Sequence, residues 1–136
     1  MKDLLLSHPE APQNAEYLTK VATECGHCAA ACLVCADACL AEPEVSELRA
    51  CISLDQSCAD ICWTTCRLLT RVMDVGLDLS ESILALCAQI CNACAEECER
   101  HADMHDHCRM CAEACRRCEE ACLVNAQPVY LMETSQ

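Results

Sequence analysis

Residues 25–39 read CGHCAAACLVCADAC, placing Cys25, Cys28, Cys32, Cys35 and Cys39 at steps of three, four, three and four. That alternation is the core stripe of a helix in a coiled-coil-like bundle, made of positions ordinarily held by Leu, Ile or Val. Here the stripe is sulfur. Three further clusters step in nearly the same way: Cys51, Cys58, Cys62, Cys66; then Cys87, Cys91, Cys94, Cys98; then Cys108, Cys111, Cys115, Cys118, Cys122. The last repeats the three, four, three, four stepping of the first, which suggests a duplicated helical hairpin. All eighteen cysteines of the 136 residues lie in these clusters. The pattern predicts an all-α fold, an antiparallel up-down-up-down four-helix bundle with a Cys-lined core.

Punctuation around the stripes places the helices. With two Gly and no Phe, aromatic strand pairing and Gly-rich turns have little support, and the length suits one domain. Residues 1–14, with Pro9 and Pro12, read as an N-terminal tail, with room for a short turn of helix. The first predicted helix covers about 15–41 and breaks at Pro43. A second fits 44–75, closed by Gly76 at its C-terminal cap. Asp78 with Glu81 three residues on resembles a capping box, so a third helix should cover about 79–100. The polar stretch 101–107 turns the chain, a fourth helix covers about 106–125, and Pro128 opens a C-terminal tail, 126–136.

Antiparallel order sorts the cysteines by level. Cys39, Cys51, Cys98 and Cys108 should share one end, and Cys25, Cys66, Cys87 and Cys122 the other. Beyond the second end the stripe continues as Leu18, Val21, Leu69, Met73, Ile83 and Leu84, an apolar plug. At the first end it continues as His101 and His105, by steps of three, four and three from Cys98 to Cys108. On the second helix, Asp55 fills the gap between Cys51 and Cys58 in register. An ionisable group there is expensive unless wet or paired, which predicts a hydrated mouth.

Charge and compartment exclude several classes. Net charge is −13 with nine Lys and Arg, against nucleic-acid binding, which needs clustered cations. Met1 to Leu6 is too short for a secretory hydrophobic segment, and no apolar run reaches the length expected of a membrane span. The expected setting is a reducing cytoplasm, where clustered cysteines point to metal more often than to crosslinks.

Among metals, physical chemistry ranks the options. Cysteines three or four apart on one helix face the same way and staple nothing distant, so disulfides fit worst. Zinc with four thiolates leaves a double negative charge at each site, costly when stacked in a dry core. Iron–sulfur clusters favour tighter loop motifs with a Pro. Copper(I) fits best: soft thiolates select it, and each thiol that exchanges a proton for one Cu(I) leaves the interior neutral. One helical step separates thiols by roughly 5 Å along the axis, close enough for bridging. An iron–sulfur electron-transfer protein and a zinc-thiolate buffer remain the alternatives.

The four Cys-striped helices and the turn from His101 through Met104, His105 and His107 to Cys108 resemble the cytosolic bacterial copper storage proteins. The resemblance covers about residues 15–124. It implies a non-catalytic four-helix bundle holding many Cu(I) ions, assembled as a homotetramer and loaded at its histidine-bearing end. It also implies that Asp55, His101, His105 and His107 take part in admission or early binding; from their place near the turn, Met104 and Met110 are weaker candidates. From the residues alone, His107 falls off the inward stripe, His27 and His8 face solvent, and Trp63 packs at a helix flank. Helix four, with Arg109, Arg116, Arg117, Glu119 and Glu120, should face water. With sulfur at the centre, Ile52, Ile61, Leu68, Val72, Leu86 and Ile90 turn partly outward and call for a subunit interface.

Overall fold

The computed structural model describes residues 1–71 and 79–134, with side chains up to Leu123. Its helices are α1 (Lys2–Leu6), α2 (Ala15–Leu40), α3 (Arg49–Leu69), α4 (Ser80–His101) and α5 (Asp106–Thr134), with a single 3₁₀ turn over Val45–Leu48. No strand occurs among the described residues. The long helices α2 to α5 each pack on their neighbours in sequence, and α5 closes the ring against α2. That is the four-cornered antiparallel bundle the cysteine stepping predicts. α1 lies against α2 and buries Leu5, so the expected tail carries a short packed helix.

Each long helix buries its sulfur stripe because thiols behave as small hydrophobes that pack closely between rods. Seventeen cysteines are buried and Cys66 is half-buried. Alanines fill the flanks of the stripe; Ala29, Ala59 and Ala95 have no exposed surface. Past the last thiols, Val21, Leu69 and Leu84 continue the buried seam. Fully burying such a side chain contributes about 1.5–3 kcal/mol.

Several boundaries differ from expectation. Between α2 and α3 the chain makes the 3₁₀ turn before α3 starts at Arg49, because Pro43 forces a new start and Leu48 is drawn into the core at 1% exposure. α3 ends at Leu69, with the Thr70 N–H closing back on the Cys66 carbonyl and the Arg71 N–H on the Leu68 carbonyl. The Gly76 stop, the Asp78 cap, Val72 and Met73 lie outside the described residues. The stop expected at residue 125 is not where α5 ends: the helix runs through Pro128 to Thr134. A proline removes one backbone donor and strains the preceding turn without obliging a helix to stop.

The expectation that no apolar run reaches membrane-spanning length is also corrected. α2, at 26 residues, is long and apolar enough by length and composition. Its apolarity comes largely from the buried side, where Cys25, Cys28, Cys32, Cys35 and Cys39 face the other helices.

Candidate metal centre

The thiols form one connected column. From the apolar end, Cys25 lies 3.9 Å from Cys87 and 3.7 Å from Cys118, sulfur to sulfur. Cys62 meets Cys91 at 3.6 Å and Cys87 at 3.8 Å. In the middle, Cys115 is 3.7 Å from both Cys28 and Cys32. At the other end Cys51 pairs with Cys98 at 3.6 Å, and Cys39 with Cys108 at 4.0 Å. The levels follow the antiparallel order the sequence implies. A disulfide needs sulfurs about 2.05 Å apart, so the column is reduced throughout.

Four-donor sets run along this column, each with its ligand atoms within 4.8 Å of one another: Cys25, Cys87, Cys118, Cys122; Cys28, Cys58, Cys62, Cys91; Cys28, Cys32, Cys58, Cys115; and Cys32, Cys94, Cys111, Cys115. Shared members join three of these sets, since Cys28 and Cys58 belong to two neighbours and so do Cys32 and Cys115. Hydrogen bonds among the thiols polarise the column: Cys32 is held up, first by Cys111, while Cys28 is held down, first by Cys115, against the upward push of burial. Near the polar end, burial, followed by the charge of Cys51, pushes the Cys39 thiol up to about 11.

Asp55 sits inside the column. Its side chain is fully buried, and its Oδ1 accepts from the thiols of Cys94 at 3.1 Å, Cys111 at 3.3 Å and Cys98 at 3.6 Å. The hydrated mouth expected around it is therefore corrected. Burial first, and then the charges of Cys111, Cys94 and Cys51, push its carboxyl up to about 11, so it is a neutral acid at pH 7. Neutrality resolves the cost that had argued for water.

The histidines reverse their expected order. His107, placed off the stripe by sequence, brings Nδ1 to 3.5 Å from Cys35 Sγ, 3.6 Å from Cys108 and 4.0 Å from Cys39. These four form a further donor set. His101 and His105, placed inward, make carboxylate pairs instead. His101 Nε2 meets Glu97 Oε2 at 2.9 Å, and Glu97 also accepts from Arg100 at 2.8 Å. His105, 8% exposed, has Nδ1 2.9 Å from Glu42 and Nε2 3.3 Å from Glu44. The reason is a reset of register. α4 ends at His101, the next residues turn, and the His105 carbonyl accepts the Cys108 and Arg109 N–H groups that begin α5. Extrapolating one helical period across that break fails. Counted within α5, His107 stands four residues before Cys111, on the column face.

Other placements follow. Met104 is 73% exposed and stands away from the thiols. His27 is exposed, as expected, and Trp63, expected to pack at a helix flank, is 43% exposed. Arg116 does more than face water: it joins α5 to α4 through Glu99 at 2.9 Å and Asn92 at 2.7 Å. Of the apolar residues expected to turn outward, Leu86 is exposed, while Ile52, Ile61 and Ile90 pack against the core and Leu68 is half-buried. The larger outward apolar surface is on α2, at Leu33, Val34 and Leu40. Glu42, Glu44 and Glu97 were missed by sequence; only Glu97, four residues before His101, carried a readable signal.

With this geometry in view, known proteins supply a direct comparison. Over 93% of this chain and 97% of its own, the Streptomyces lividans copper storage protein Ccsp, loaded with 10 copper equivalents, is 45% identical and superposes with a TM-score of 0.87. A cytosolic copper storage protein from Streptomyces lividans carrying five coppers is 48% identical over 82% of this chain and 93% of its own, with a TM-score of 0.78. The Cu(I)-bound copper storage protein BsCsp3 of Bacillus subtilis is 39% identical over 81% of this chain and 98% of its own, with a TM-score of 0.72. The profile of the copper storage protein family matches residues 14–127. Sulfur column, fold and sequence agree, and the chain belongs to the copper storage protein family.

Proposed function

We propose that this protein stores many Cu(I) ions per chain, held by thiolates of its eighteen cysteines, and does no catalysis. The observation that supports this most is the sharing of cysteines between successive four-donor sets. A carrier needs one accessible site for handover, whereas a column of bridging thiolates takes ions in series. Soft thiolates select Cu(I), and each exchange of a thiol proton for a monovalent ion keeps the dry interior neutral. The cytoplasm suits the free thiols and matches the cytosolic relative.

Loading belongs to the histidine-bearing end. There His107 supplies the nitrogen donor beside Cys35, Cys39 and Cys108, and Asp55 acts within the column as an auxiliary ligand once it gives up its proton. His101 and His105 shape the entrance through Glu97, Glu42 and Glu44, and Met104 takes no part inside. The exposed Leu33, Val34, Leu40 and Leu86 favour assembly with further copies, to a homotetramer. The test is an anaerobic titration of the reduced protein with Cu(I) against a chelator of known affinity, with sedimentation recorded alongside. Uptake approaching one ion per cysteine is expected; saturation at one or a few ions per chain defeats the proposal.

A further inference from the structure

His107 divides its two ring nitrogens between the thiols and the connector that joins α2 to α3. Nδ1 stands 3.5 Å from Cys35, 3.6 Å from Cys108 and 4.0 Å from Cys39, inside the donor set it shares with them. Nε2, across the ring, is buried and has no hydrogen-bond partner among the described residues. A buried polar atom left bare is uncommon and calls for an explanation.

Glu42 supplies one. Its Oε1 stands 3.7 Å from His107 Nε2, too far for a hydrogen bond but able to make one after a shift of roughly 0.8 Å. The other oxygen of the same carboxylate, Oε2, meets His105 Nδ1 at 2.9 Å, and the two imidazole rings stack with their centroids 5.3 Å apart. One carboxylate therefore serves two histidines. A neutral imidazole offers a lone pair from one nitrogen only, because the other carries the proton. For Nδ1 to bind Cu(I), Nε2 must be the N–H, and a buried N–H needs an acceptor.

We infer that Glu42 is the positioning residue for His107: Oε1 accepts a hydrogen bond from the Nε2–H and so fixes the tautomer that presents Nδ1 to Cu(I). The inference rests on His107 serving as a donor, as proposed above, and adds what makes it one. Glu42 acts through the ring and not on the ion, as a carboxylate behind a ligating histidine does when it orients the ring and raises its basicity. On binding, a Cu–N bond forms at Nδ1 while the ring keeps its proton. The protons given up are those of the thiols, and they leave to water.

Ring-nitrogen NMR of the reduced full-length protein reads the tautomer, and anaerobic competition against a chelator reads the affinity of the first-bound Cu(I). Glu42 is only partly buried, so replacing it spares the core. The parent should carry the His107 proton on Nε2. Glu42→Ala should spread that proton over both nitrogens and weaken the first ion severalfold, short of the about tenfold expected for His107→Ala, because Glu42 acts only through that ring. Glu42→Gln keeps an acceptor oxygen and should recover most of the loss. Added to His107→Ala, Glu42→Ala should weaken binding no further. A Glu42→Ala protein with the parent tautomer or the parent affinity, or one whose loss persists in full beside His107→Ala, overturns the positioning role. His107→Ala at the parent affinity removes instead the donor role beneath it.

Discussion

The two ends of this bundle are built by the same four helices from opposite materials. At one end Val21, Leu69 and Leu84 close the seam with hydrocarbon, and the buried Thr65 hydroxyl donates to the Ile61 carbonyl at 2.7 Å. At the other end His101, His105 and His107 are set against Glu97, Glu42 and Glu44. Hydrocarbon packing needs no partner and gains nothing from rearrangement, so the first end is a wall. The second end holds donors whose partners can be exchanged for a metal ion without opening a void. The difference assigns stability to one end and traffic to the other.

The sharpest test of that division is Leu84→Ala. Removing a fully buried leucine should cost about 2–5 kcal/mol of apo stability in urea unfolding while final copper capacity stays at the parent value. A large change in capacity would break the division, because the wall would then be shaping the sulfur sites. The counterpart at the polar end is His107→Ala. It removes the nitrogen donor from the set with Cys35, Cys39 and Cys108, and should weaken the affinity of the earliest-bound ion by about tenfold, or 1.4 kcal/mol. Apo stability should change less. His105→Ala should do the reverse, because its nitrogens hold the 42–44 connector and not the column; the loss belongs in stability, about 1 kcal/mol.

Between the two ends, Asp55 predicts how the apo protein responds to pH. Its folded carboxyl titrates near 11 and its unfolded one near 3.8, so between those values the folded chain binds the extra proton. Stability then falls as pH rises above about 4, the sign for a carboxyl whose folded value is raised. Asp55→Asn, which is neutral at every pH, should flatten that decline and leave the variant more stable than the parent at pH 8 in thermal or urea unfolding. A variant that loses stability with pH as steeply as the parent would place the proton elsewhere in the column.

How far the sequence carried these conclusions depended on whether a period held. Within α2, α3, α4 and α5 the cysteine steps are a helical period, so fold, levels and the sulfur core were legible, down to the shared level of Cys39, Cys51, Cys98 and Cys108. The period breaks between His101 and Asp106, and there extrapolation put His101 and His105 on the inward stripe, where they meet Glu97, Glu42 and Glu44 instead of thiols. Asp55 was placed in the right register with the wrong surroundings, because sequence gives the face of a helix and not the protonation that lets a carboxyl stay dry. Glu42 and Glu44 flank Pro43 in a connector without any period, and only the closure of α5 onto α2 brings them to His105 and His107.

The smallest effect concerns the border between sulfur and hydrocarbon. Cys66 is the one half-buried cysteine, and burial alone pushes its thiol up, whereas neighbouring sulfurs act on every other thiol of the column. It lies at the α2–α3 seam, where a side chain added at Gly26 would meet its sulfur at 4.0 Å and the Trp63 ring at 3.9 Å. A thiol with one side open to the seam is poorly placed to bridge ions from several helices. Cys66→Ser should therefore lower capacity by at most about one ion and leave early loading unchanged, while Cys28→Ser, which touches two donor sets, should lower it further. Both are read from the break point of the same anaerobic titration. Equal losses in the two variants would extend the sulfur column past Cys66 and move the wall outward, to Leu69 and Leu84 themselves.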